Sequence, residues 1–160
     1  MPHKAFDRRE ELMAEIVFEQ LSRTNKLILL GHNGHLSKSS SDYSLVEENE
    51  SATSSAPLWR LLGERLKEKD VSSLCIFQLA NEGSHSAPFR EKIPFKVSPE
   101  NGTYEAAIAS KHSAPVLLLT SEVVNLFGRM DLRENFASRI RGKIENMADW
   151  VVFYPKCTGI

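Results

Sequence analysis

Two imidazoles three residues apart, His32 and His35, stand in the run Gly31-His32-Asn33-Gly34-His35. A neutral imidazole accepts a proton near physiological pH. One ring therefore suits a general base that activates water, and the other suits a donor to a developing oxyanion. The same nitrogens ligate metals, but a catalytic zinc takes three protein ligands. No third ligand, from His85 or from an acid such as Asp42 or Glu82, is tied to the pair by a recognisable spacing. The expectation is hydrolysis without a metal or other cofactor. The plain alternative is that one ring hydrogen-bonds backbone and orders a turn. Asn33, between the imidazoles, and His85, in the polar run Asn81-Glu82-Gly83-Ser84-His85, join them as candidate substrate-binding side chains.

The elements that must hold these residues follow from the patterning. Residues 27–30 (Leu-Ile-Leu-Leu) form a continuous apolar run that ends at Gly31, the signature of a strand buried on both faces, as in a parallel sheet covered by helices. Gly31 and Gly34 then allow a sharp turn or close backbone approach, and in open α/β sheets ligands bind beyond the carboxyl ends of strands. Upstream, Leu12, Met13, Ile16, Val17 and Leu21 draw a helical stripe over residues 7–23, with Asp7 as a cap. Downstream, strands are expected at 72–79, 116–119 and 150–154, with a short edge strand near 93–95. Helices are expected at 57–66, opened by Pro57, at 103–111 behind a Thr103 or Gly102 cap, and at 133–147 on Phe136, Ile140 and Ile144. Helix and strand alternate, which predicts one α/β domain over 1–160, a mostly parallel sheet of about four or five strands. The Ser-rich and acidic stretch 37–56 reads as a flexible loop, either a flap beside the histidines or a solvated insertion.

Composition narrows the classes further. The 160 residues carry 20 Lys+Arg against 21 Asp+Glu, so bulk charge points to neither a nucleic-acid nor a membrane-surface partner. No apolar run approaches the roughly 18 residues of a membrane span. The charged amino end lacks the apolar core of a secretory signal, and two cysteines make no disulfide framework, so a cytoplasmic address is expected. Phosphate-cradling glycine loops, Cys-x-x-Cys and Gly-x-Ser-x-Gly are all absent.

Taken in order, the run Arg9-Glu10-Glu11-Leu12-Met13-Ala14-Glu15, the His-Asn-Gly-His loop, the stretch 58–66 with Gly63 inside it, Gly102-Thr103-Tyr104-Glu105-Ala106-Ala107 with residues 115–119, and residues 149–155 resemble the carboxyl-terminal half of the erythromycin esterase family. The resemblance implies a hydrolase that opens an ester with activated water, in the best-known members the macrolide lactone of an antibiotic and hence resistance to it. It places His32 and His35 on the family's active-site histidine pair and Arg9 on the arginine of the preceding helix. Two departures stand out. Ile16 replaces an asparagine, and the family's amino-terminal half, which supplies a further catalytic histidine and glutamates, has no counterpart before Asp7. Three readings follow. The first is a truncated esterase-like hydrolase with an incomplete site, acting on a small-molecule ester or lactone. The second is a binding or interaction domain that kept the fold. The third is a compact histidine-based hydrolase, metal-dependent or not, completed by His85 or His112 within one chain or across a homodimer; at a helix end, His112 is otherwise a favourable charge.

Overall fold

The computed structural model describes residues 2–42, 44–47, 62–85, 95–133 and 138–158. Its centre is a parallel pair, β2 (Ile76–His85) and β7 (Trp150–Thr158), in register from Ile76 opposite Trp150 to Ser84 opposite Thr158. Cys75, Phe77 and Leu79 are buried while Ile76 and Gln78 between them are exposed, the two-residue period of a strand with one covered face. Gly83, at φ 150°, lets the strands close: a Cβ there would lie 1.7 Å from the Cys157 carbonyl oxygen. Flanking this pair are β3 (Phe95–Val97), antiparallel to β2, and β4 (Val116–Leu119), antiparallel to β7, giving the order β3-β2-β7-β4.

A second, antiparallel sheet comprises β1 (Ser44–Glu47), β6 (Ser138–Arg141) and β5 (Leu132–Arg133), with β6 central. Between the sheets and around them pack the helices α4 (Tyr104–Ala109), α5 (Thr120–Phe127) and α6 (Ile144–Met147). Their Tyr104, Ile108, Val123 and Ile144 share one core with Phe77, Val151, Phe153, Leu132 and Ile140. A smaller cluster joins Ala14 and Val17 of α1 (Pro2–Thr24) to Leu62 and Leu66 of α3 (Leu62–Glu68). Leu36, at the end of the single-turn helix α2 (Asn33–Leu36), packs against both clusters and so links them.

The sheet is not mostly parallel. Among the described residues β2–β7 is the one parallel strand pair, and the four other pairings are antiparallel. Alternation of helix and strand signals cannot report direction. Parallel neighbours need a long crossover connection, and here the chain between β4 and β7 carries two strands of the second sheet, β5 and β6, with β7 returning antiparallel to β4. The helix expected over 133–147 is replaced by β5, β6 and α6. Around Ile140 burial alternates, with Arg139 half-buried and Arg141 exposed, and Gly142 lies so near the Asp42 carbonyl that an added Cβ would be 1.7 Å away.

Residues 27–30 are not a buried strand. They have no strand partner among the described residues; Ile28 and Leu30 are 87% and 89% exposed, and only Leu29 packs on the smaller cluster. β2 begins later than expected and runs on through the predicted polar loop to His85, and α5 was not foreseen. Pro2 rather than Asp7 opens the first helix, whose buried stripe is Glu10, Ala14 and Val17, leaving Leu12 and Ile16 exposed. Part of the expected loop 37–56 is strand β1, while residues 48–61, with the start of the helix expected from Pro57, lie outside the described residues. The helix at 104–109, capped by the Thr103 hydroxyl, and the strand at 116–119 stand where the pattern placed them. Among the described residues no helix is long and apolar enough to cross a membrane.

Candidate active site

Glu10 brings the site together. It lies in the buried stripe of α1, four residues before Ala14, and its side chain is fully buried. A buried carboxylate needs hydrogen-bond donors to offset lost hydration. Glu10 finds them on two other elements: its Oε1 lies 2.7 Å from Nδ1 of His35, and its Oε2 accepts the Leu62 backbone N–H at 3.2 Å. Arg9 adds a positive charge, its Nη2 3.5 Å from the same Oε1.

These contacts fix the tautomer of His35. Arg9 Nη2 also lies 3.2 Å from His35 Nε2. A guanidinium only donates, so Nε2 presents its lone pair and the ring proton sits on Nδ1, the nitrogen 2.7 Å from Glu10 Oε1. His32 has the opposite form. It caps α2, its Nδ1 accepting the Gly34 N–H at 3.2 Å, so the proton of the neutral ring is on Nε2. The ring centroids are 6.4 Å apart, edge to face. One imidazole thus offers a basic nitrogen backed by a carboxylate, the other an N–H donor. A carboxylate behind Nδ1 orients an imidazole and stabilises the imidazolium formed when Nε2 takes a proton.

Asn33 serves the scaffold. Its carboxamide donates to the Gln78 carbonyl at 2.9 Å and accepts the Gln78 N–H at 3.1 Å, standing in for a strand partner on the edge of β2. Arg133 continues this role further along, donating to the carbonyls of Ala80 and Asn81. Together the two side chains occupy the edge of β2 over residues 78–81. His32, Asn33 and Arg133 line a crevice with room for about one water, backed by the buried side chains of Phe77, Leu79, Leu132 and Ile140. His85 is remote: its backbone stands seven residues beyond Gln78 on β2, roughly 20 Å away at the usual strand rise. His112 follows the end of α4, its N–H bonded to the Ile108 carbonyl. Among the described residues no group of three or more His, Cys, Asp or Glu side chains gathers to hold a metal.

Behind Arg133 sits a second buried carboxyl, Glu105 of α4, only 1% exposed. Its Oε1 accepts the Arg133 backbone N–H at 3.0 Å, and its Oε2 has no hydrogen-bond partner among the described residues. Burial pushes this carboxyl up to about 7, and the Arg133 N–H and charge pull it back only in part. A raised folded-state value means that folding takes up a proton. The associated stability is full below about pH 4.5, the unfolded value, and is lost as pH rises through about 7. The predicted loss is on the order of 3 kcal/mol. Glu105→Gln removes it, so urea midpoints of the variant will be flat across that window while those of the parent fall. Parallel curves would show that Glu105 is ionised in the fold at little cost.

Glu10 and Arg133 were not singled out from sequence. For Glu10 a signal existed: it shares the helical face of Ala14 and Val17, where an acid is unexpected unless it has partners. For Arg133 none did, because its neighbours come from β2 and from Ser98.

The fold is one shared with solved structures. In particular, the chain is similar to a solved erythromycin esterase, EreC, a histidine-to-asparagine mutant in its open conformation, with 17% identity and a TM-score of 0.63 over 94% of this chain and 37% of that one. It is also similar to a succinoglycan biosynthesis protein, with 15% identity and a TM-score of 0.54 over 79% of this chain and 32% of that one. This likeness is one of fold, and the chain spans about a third of the length of the structures it matches. No family model matches the sequence, and no curated protein does.

Proposed function

We propose that this chain carries the histidine part of a hydrolytic site that cleaves an ester or lactone, macrolide lactones among them. His35 Nε2 takes a proton from water as its oxygen attacks the carbonyl carbon, and Glu10 steadies the resulting imidazolium. His32 Nε2–H donates to the oxyanion. Collapse breaks the bond to the alcohol oxygen, which recovers the proton from His35. Arg9 guards the base: its guanidinium leaves Nε2 for water to bind, and its side chain, about half exposed, has room to move. The 2.7 Å contact between Glu10 and His35 carries this reading. Groups beyond this chain, in a longer polypeptide or a second copy, would complete the site.

The test is hydrolysis of 4-nitrophenyl butyrate and of a macrolide by the purified chain, with and without a chelator. His35→Ala is expected to lower turnover by about 100-fold or more, as loss of a general base does, and the chelator to change nothing. A parent rate no higher than that of His35→Ala would sink the proposal for this chain. One observation favours a second reading, a binding domain that kept the fold: Asn33 and His35 Nε2 both have partners within the chain. A folded, inactive chain would support it.

A further inference from the structure

The sheet β3-β2-β7-β4 has two unlike sides. Phe77 and Leu79 of β2, with Val151 and Phe153 of β7, point into the main core beside Ile108 and Val123 of α4 and α5. The residues between them point the other way. Ile76, Gln78 and Ala80 lie opposite Trp150, Val152 and Tyr154, and on the far side of β7 Leu119 and Leu117 of β4 lie opposite Trp150 and Val152. Residues paired in this way share a face. Apart from Gln78 every one of them is apolar or aromatic, none is charged, and none belongs to either core cluster.

Such a side is not a solvent face. An antiparallel sheet open to water on one side shows polar residues there, and a parallel pair such as β2–β7 occurs with both sides covered. Here Leu117, Ile76 and Tyr154 are 52%, 40% and 37% exposed, and Leu74, which continues the side two residues before Ile76, is 67% exposed. Leu30 borders the patch at its β2 edge. Asn33 bonds Gln78 there, and three residues of chain separate the two, at most about 11 Å. With their half-covered neighbours these residues present on the order of 700 Å², above the roughly 300–600 Å² of a typical monomer's largest patch and close to the ~800 Å² each partner gives a standard interface.

Charge decides what fits. Beyond Ala80 and Tyr154 the same side continues with Glu82 opposite Lys156, one charge of each sign. An uncharged centre with a balanced rim does not repel a second copy of itself, and a two-fold pair sets each such patch on its twin. Nucleic acid, an anionic membrane or a charged peptide finds no opposing charge here.

We propose that this open side of the sheet, centred on Ile76, Val152 and Leu117, is a self-association surface that seats a second copy of the chain in a two-fold, sheet-on-sheet contact. Two twisted sheets pack this way about 10 Å apart, their side chains interdigitated. The inference stands apart from the hydrolase reading, because none of Glu10, His32 and His35 lies on these strands.

Sedimentation velocity of the purified chain, shown to be folded by circular dichroism, tests it across the micromolar range. The expected result is a concentration-dependent step from monomer to dimer with no larger species. Leu117→Glu puts an unpaired carboxylate into the contact twice over, and is expected to raise the dissociation constant by about 100-fold or more. Leu126→Glu is the control. Leu126 is equally exposed, at 53%, but lies on α5, which packs on the core side of the sheet, and its variant should dimerise as the parent does. Should Leu117→Glu fail to fold, Tyr154→Lys on the adjoining strand β7 makes the same test. A chain that stays monomeric, an open-ended series of oligomers, or a dimer that Leu117→Glu leaves as stable as the parent's would overturn the proposal. The first of these would leave the patch to a different polypeptide.

Discussion

Replacing Glu10 with alanine will cost the chain about 3 kcal/mol of stability, because the buried Leu62 N–H, costing about 1–3 kcal/mol when unsatisfied, loses its acceptor while His35 Nδ1 loses the carboxylate 2.7 Å away. Glu10 joins these two groups from the middle of α1. Neither has an easy substitute. Leu62 N–H opens α3, whose first turn has no carbonyl of its own to offer, and His35 Nδ1 is turned inward. Glu10→Gln should fall between parent and alanine. Its amide oxygen can serve one donor, but its NH2 then faces the other. Urea unfolding monitored by circular dichroism reads both variants, and an alanine variant within about 0.5 kcal/mol of the parent, the usual range for an inconsequential surface change, would remove Glu10 from its central place.

Gly63→Ala is the second large effect. Alanine is ordinarily the better helix former by about 1 kcal/mol, so local propensity predicts stabilisation. Packing predicts the opposite. A Cβ on Gly63 would sit 2.2 Å from the Leu36 carbonyl oxygen and 2.5 Å from that of Ser37, and backbone cannot swing aside as a side chain can. Either α3 or α2 must move. Moving α2 strains the Asn33 bonds to Gln78 and pulls Leu36 from the two clusters it links. The net loss is expected to be about 3 kcal/mol, at the upper end of overpacking costs. Gly31→Ala is the control: its Cβ meets only the Leu36 side chain, at 3.8 Å, an ordinary contact. Equal midpoints for the two variants would show that α3 does not press on α2 as described.

Local pattern revealed those parts of the fold that depend on local chemistry. Thr103 caps α4 through its own hydroxyl, and the continuous run at 116–119 has the length and composition of a buried strand, so both could be read from a few residues. What failed depended on distant partners. The run at 27–30 looks like a buried strand, but a strand needs an edge, and along residues 78–81 of β2 Asn33 and Arg133 hold it with their side chains. Phe136, Ile140 and Ile144 have helical spacing, but Arg139, Ile140 and Arg141 also fit a strand. Pairing with residues 44–47, almost a hundred positions away, decides between the two. Direction in the sheet was equally hidden, since neighbouring strands are chosen by tertiary packing. In the candidate site, the histidine pair and Arg9 were visible as a motif, whereas the residue that joins them, Glu10, is a carboxylate whose meaning comes from burial. Asn33 was read as a ligand contact, and its carboxamide is spent on the scaffold.

The proposed hydrolysis needs two imidazoles in opposite tautomers. Nitrogen-15 NMR of the histidine rings at neutral pH tests this directly, because protonated and lone-pair nitrogens give well-separated signals. The predicted spectrum shows His35 with its proton on Nδ1 and His32 with its proton on Nε2, and in Glu10→Gln the His35 signals shift while those of His32 stay. A spectrum in which both rings carry the proton on Nε2, or in which Glu10→Gln leaves His35 untouched, would contradict the arrangement of base and donor on which the proposed hydrolysis depends.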